Sequence, residues 1–168
     1  MTKKIKLSIN KHSYLKICYD FNVKKYADGD AYVEFYFHNR KLFRRLTQLK
    51  YFVQLLLNLL NLCIKNSKAL LTSANSNLTH QYMEFLKNDN SCNNNINYKT
   101  LLDLDETGYL TFLFCQDNNL FIEVEKVSID NRENYNYEMS IKQALHKDNA
   151  IEWVKILKTL DQLIGSQI

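Results

Sequence analysis

The chain has 168 residues, a formal net charge of +4, 46% hydrophobic and 24% charged residues, no proline, three glycines and four cysteines. That length and balance fit one ordinary globular domain with enough apolar side chains for a core, and they exclude collagenous, disordered and disulfide-stapled classes. With so little proline and glycine, asparagine takes the turn and loop positions, where its side chain bonds nearby backbone.

The charge is uneven. Residues 1–50 hold 12 Lys/Arg against 4 Asp/Glu, whereas residues 101–168 hold 6 against 12. A basic front and an acidic back either complement one another or present a basic face to an acidic partner or nucleic acid.

The opening MTKKIKLSINKHSYLK has cations without an apolar run behind them, so no secretory leader is expected. Alternation of Ile5, Leu7 and Ile9 with Lys4, Lys6 and Ser8 predicts a first strand over 4–9. A second strand follows over 14–24, with Leu15, Ile17, Tyr19, Phe21 and Val23 on one face. Tyr26-Ala27-Asp28-Gly29-Asp30 reads as a turn. In the third strand Ala31, Val33, Phe35 and Phe37 alternate with Tyr32, Glu34, Tyr36 and His38.

Residues 40–65 read as one long helix. Leu42, Leu46, Leu49, Val53, Leu56, Leu60 and Cys63 step by four and three, Arg44, Thr47, Tyr51, Gln54, Asn58, Asn61 and Lys65 form the opposite polar seam, and Asn39 stands as N-cap. The seam rules out a membrane span, which needs about 20 apolar residues. A core helix is expected, with a dimer seam as the alternative. Arg40, Lys41, Arg44 and Arg45 would then crowd its first turn and oppose the helix dipole, so they call for internal acids such as Asp103, Asp105 and Glu106, or for an external anion.

Leu78, Tyr82, Phe85 and Leu86 predict a short helix near 77–87. The polar stretch KNDNSCNNNIN from Lys87 to Asn97 predicts a mobile loop within a single domain spanning 1–168. Beyond it, strands are expected over 98–104, 109–115, 120–125 and 135–139, separated by turns at Asp105–Gly108 and Asp117–Asn119. Ser140 and Gln143 have capping-box spacing and predict a last helix continuing through Ile141, Leu145, Ile151, Val154, Leu157, Leu160 and Ile164; Asn149 and Glu152 offer a second start. The whole is an α+β fold of antiparallel sheet or sheets with two long helices, a pseudo-repeat βββα–βββ(β)α. At the level of architecture this resembles the Whirly single-stranded DNA-binding proteins.

Motifs of catalysis are missing. Three isolated glycines make no phosphate loop, and no nucleophile elbow occurs. His12, His38 and Lys41 supply the residue types of an RNA-cleaving acid–base set, but no local spacing joins them. Cys18, Cys63, Cys92 and Cys115 are scattered, and with His12, His38, His80 and His146 they give no metal-ligand spacing. The expectation is a reduced cytoplasmic protein without metal or cofactor and without enzymatic activity.

Two binding readings remain. Tyr32 and Tyr36 followed by Arg40, Lys41, Arg44 and Arg45 form a basic and aromatic pattern suited to an anion or single-stranded nucleic acid. Asp103, Asp105, Glu106, Glu123, Glu125, Asp130 and Glu133 form an acidic segment suited to a basic protein. In size, α+β layout, Asn/Lys/Tyr richness and lack of an active-site signature, the whole chain resembles the immunity proteins of bacterial contact-dependent growth inhibition systems. That resemblance implies a catalytically inert inhibitor that binds a cognate toxin, expected to be a nuclease, and blocks it.

Overall fold

In the computed structural model, residues 2–20, 30–65, 78–87, 100–103, 106–116, 119–129 and 135–166 are described. The chain runs β1 (Lys3–Ser8), β2 (Tyr14–Tyr19), β3 (Asp30–Phe37), β4 (Arg40–Gln48), α1 (Leu49–Lys65), α2 (Leu78–Lys87), β5 (Thr100–Leu102), β6 (Tyr109–Gln116), β7 (Asn119–Ile129), β8 (Tyr135–Leu145) and α3 (Lys147–Gly165). It is an α+β fold with two four-stranded antiparallel sheets, ordered β1-β2-β3-β4 and β5-β6-β7-β8. Two compact units divide it: Met1–Leu60 with Leu145–Ile168, and Asn61–Ala144. The expected loop at 88–97, the turn residues 26–29 and the strand extension 21–24 lie outside the described residues.

In the first unit every strand is adjacent to its sequence neighbour. The inward residues Leu7, Leu15, Ile17, Val33 and Phe35 are fully buried. Helix α3 brings Ala150, Trp153, Leu157, Leu160 and Ile164 as one buried stripe. It is tied to the end of β1 by two side chains: the Trp153 Nε1–H donates to the Ser8 carbonyl at 2.8 Å, and Asn149 Nδ2 donates to the Ile9 carbonyl at 2.9 Å. Leu49, Phe52, Val53, Leu56 and Leu60 form the buried stripe of α1, while Tyr51, Gln54 and Asn58 stay exposed along the predicted seam.

The segment before α1 departs from expectation. Arg40–Gln48 is a strand, so the helix begins nine residues later and Asn39 is no N-cap. His38 and Asn39 have φ of 47° and 62° and form the two-residue loop of the β3–β4 hairpin, the left-handed geometry that such loops need. Leu42 is an extra residue, because Phe35 pairs with Phe43 while Tyr36 pairs with Lys41. This bulge shifts the alternation along β4. As a strand, the Arg40–Arg45 cluster meets no helix dipole.

In the second unit β6 is buried on both faces. Leu110, Phe112 and Phe114 pack with Leu78, Tyr82 and Met83 of α2 and with Val127. Thr111, Leu113 and Cys115 occupy the alternate positions and are also buried. Cys63 is a free thiol pushed up to about 12, first by burial and then by the neighbouring Cys115. The capping-box reading of Ser140 and Gln143 is corrected: both lie inside β8, where Met139, Ile141, Gln143 and Leu145 alternate with exposed Ser140, Lys142 and Ala144. Helix α3 starts at Lys147, and Asn149 serves β1 rather than a cap. Each half therefore has four strands before its long helix, one more than expected in the first half.

Gly108 opens β6 with φ of +73°, and a Cβ there would lie 2.8 Å from the Val127 carbonyl oxygen. Val127 N–H in turn donates to the Gly108 carbonyl at 2.8 Å, so neither strand can withdraw without losing a bond. Gly108→Ala is expected to cost about 1–3 kcal/mol, from the left-handed backbone and the clash together, read as a lowered urea midpoint. An unchanged midpoint would contradict the turn geometry.

Candidate functional site

The outward residues of the first sheet fall into three rows, set by register. Ser8, Tyr14, Tyr36 and Lys41 make the first; Lys6, Lys16, Glu34 and Arg44 the second; Lys4, Cys18, Tyr32 and Leu46 the third. Five cations thus share the face with two carboxylates, Glu34 and, at the start of β3, the exposed Asp30. Strand alternation alone put them there, since Leu15, Ile17, Val33 and Phe35 are drawn to the opposite side.

Glu34 is the hub and is only 6% exposed. It accepts hydrogen bonds from Lys16 Nζ at 3.0 Å and the Tyr36 hydroxyl at 3.1 Å. Lys41 Nζ stands 3.9 Å and Arg44 Nε 3.7 Å from its other oxygen, near enough for charge attraction but beyond a good hydrogen bond. Burial pushes the Glu34 carboxyl up, but the hydrogen bonds from Lys16 and Tyr36 and the charges of Lys16 and Lys41 bring it below its ordinary value. The bond to Glu34 raises Lys16 against the opposing effect of burial. Burial, then the bond to Glu34, raises Tyr36.

The sign of the pH dependence follows. A depressed carboxyl stabilises the fold above its unfolded value and loses that contribution as pH falls through its folded value. Wild type is therefore expected to lose stability from about pH 5 downward, and Glu34→Gln to lack that part of the loss while starting about 1 kcal/mol lower at neutral pH. Parallel urea titrations of the two proteins test this; coincident pH profiles would remove Glu34 from the account. The raised Lys16 contributes below its unfolded value and loses that contribution at alkaline pH, through its folded value.

The aromatic rings are engaged through their faces. Tyr14 and Tyr36 stack with centroids 4.5 Å apart at 13°. That separation is close to the spacing between strands, roughly 4.8 Å, so both rings stand upright and turn their edges to solvent. Lys6 Nζ lies 4.0 Å over Tyr14, and the Arg44 guanidinium 3.7 Å over Tyr32. Such contacts contribute about 0.5–1 kcal/mol each at exposed sites and fix the cations in place.

Of the residues predicted for anion contact, Tyr32, Tyr36, Lys41 and Arg44 come together here. Arg40 is exposed beside the hairpin loop, and Arg45 pairs with Val33, on the opposite face. Lys6, Lys16, Tyr14 and Glu34 complete the face. Their alternation was visible in sequence, but joining them required the strand pairing.

Only part of the acidic segment falls among the described residues. Asp105, Asp130 and Glu133 lie outside the described residues, while Asp103 and Glu106 are exposed near the β5–β6 turn. Glu123 accepts a hydrogen bond from the Ser140 hydroxyl at 2.7 Å. Glu125 is 2% exposed, which corrects its reading as a surface contact.

His12 sits in a turn closed by Asn10, whose Oδ1 accepts from the backbone N–H groups of His12 and Ser13. Its Nδ1 faces the Asn39 side-chain amide at 3.1 Å, and His38 stacks on Phe37. Lys41 is directed to Glu34. Among the described residues no group of three His, Cys, Asp or Glu is placed to hold a metal, and no helix is long and apolar enough to cross a membrane. Comparison with protein-family models, curated proteins and solved structures gives no match to this chain.

Proposed function

We propose that the chain is a non-catalytic binding protein whose partner is another protein, and that its role is neutralisation of a cognate toxin in the manner of an immunity protein. One observation carries this reading: the outer face of the first sheet combines fixed cations with exposed Tyr32 and Leu46, while Tyr14, Tyr36 and Tyr32 each have a ring face taken up by a neighbouring ring or cation. A base-stacking platform needs open ring faces. Upright rings, an apolar side chain and ordered charges suit a protein surface better, since Tyr and Arg are the residues that anchor such contacts. A basic nuclease would oppose this face, so the toxin surface it suits is acidic.

The second reading is a single-stranded nucleic-acid binder, favoured by the row Lys6, Lys16 and Arg44. Tagged protein recovered from its native lysate at moderate salt separates the two. The expected result is one protein in equimolar amount, retained after nuclease treatment, whose toxicity in a test host is suppressed when this chain is co-expressed. Nucleic acid alone, released steeply by salt, would overturn the proposal.

A further inference from the structure

We infer that Tyr32, Arg44 and Leu46 form the centre of the contact, and that they receive a carboxylate flanked by apolar side chains on an acidic protein surface. This rests on the protein-binding reading above. The Arg44 guanidinium lies over the Tyr32 ring at 3.7 Å and is half exposed. Its nearest carboxylate contact is the 3.7 Å approach of Nε to Glu34, too long for a hydrogen bond. Among the described residues its side chain makes no hydrogen bond, so a planar fork of donors is held in position and unused. That fork matches a carboxylate with two parallel bonds.

The neighbours decide what kind of anion arrives. Lys4, Lys6, Lys16, Lys41 and Arg44 share the face with two acids, Glu34 and Asp30, so cations remain in excess and the complementary surface is negative. Leu46 is directly opposite Tyr32 in the β3–β4 register; they are 53% and 40% exposed. A phosphodiester chain would leave Leu46 in water. A protein surface buries it with Tyr32 and excludes water from the Arg44–carboxylate pair, which strengthens that pair.

The test is a titration of nitrogen-15-labelled protein with a short Gly/Ser-flanked peptide of alternating Glu and Leu, its Gln-for-Glu counterpart, and an oligothymidylate of equal length. Wild type should bind the acidic peptide with amide shifts centred on Tyr32, Arg44 and Leu46, and bind the Gln peptide at least about tenfold more weakly. Arg44→Ala and Arg44→Lys should each weaken the acidic peptide by about tenfold, since lysine offers no planar fork. Leu46→Ser should weaken it by about threefold to tenfold. Both side chains are exposed, and dispersed amide spectra of the variants verify folding. Full binding by Arg44→Lys would reduce the site to plain charge attraction, and no peptide binding at millimolar concentration would refute it; either outcome overturns the inference. A protein partner that binds Arg44→Ala as well as wild type would leave the protein-binding reading standing and overturn this contact. Tighter oligothymidylate binding, indifferent to Leu46→Ser, would overturn both.

Discussion

Trp153→Ala is expected to destabilise the first unit by about 3–5 kcal/mol, a large part of the stability of an ordinary domain. The indole is 1% exposed and lies in the buried stripe of α3. Alanine there removes the largest fully buried side chain and leaves a cavity that surrounding strands cannot fill without giving up their ladder bonds. The Nε1–H bond to the Ser8 carbonyl is a separate contribution. Trp153→Phe retains most of the bulk and should cost about 1–2 kcal/mol, mainly by leaving that carbonyl unpaired. Since Trp153 is the only tryptophan, unfolding in urea is followed by far-ultraviolet circular dichroism rather than by fluorescence. Equal losses in the two variants would mean that the hydrogen bond, not the volume, dominates.

Phe112→Ala should act on the second unit with a similar magnitude, about 3–5 kcal/mol. The ring is fully buried between Leu110 and Phe114 on its strand and faces Leu78, Tyr82 and Met83 of α2. Helix α2 has ten residues, too short to persist in water by itself, so it depends on this apolar contact. Hydrogen exchange should show the amides of Leu78–Lys87 losing protection first in the variant. Retained protection in α2 with loss elsewhere would show that other contacts secure the helix.

Strands β1, β2 and β3 were legible because alternation there is clean: Ile5 and Leu7, Leu15 and Ile17, Val33 and Phe35 stand two apart and are the residues nearest the core. Helix α2 and the later part of α1 were legible for the matching reason at helical period. The start of α1 was not. Leu42 and Leu46, four apart, fit the strand period as well as the helical one, and Leu49, three further on, already belongs to α1. The crowding of Arg40, Lys41, Arg44 and Arg45 against a supposed helix N-terminus was the sign of trouble, and a strand relieves it. Ile141 and Leu145, four apart, fit both periods, so the second half of β8 passed for a helix; the exposed Ser140, Lys142 and Ala144 alternating with them decide for the strand. The candidate site was half legible. Tyr32, Tyr36, Lys41 and Arg44 stood out by type, but Glu34 looked like one polar position among several until three neighbouring cations converged on it.

The bond from Trp153 to Ser8 joins positions 145 residues apart. On the ribosome the chain emerges from its N-terminus, so β1 to β4 leave the tunnel long before α3 has been made. During that interval the part of the first sheet covered by the Ala150–Ile164 stripe has only solvent or a chaperone against it. The first unit is therefore completed last, although its strands are synthesised first. Synonymous changes that slow translation beyond residue 100 should lengthen the exposed interval and lower soluble yield, with no change in the stability of the finished protein.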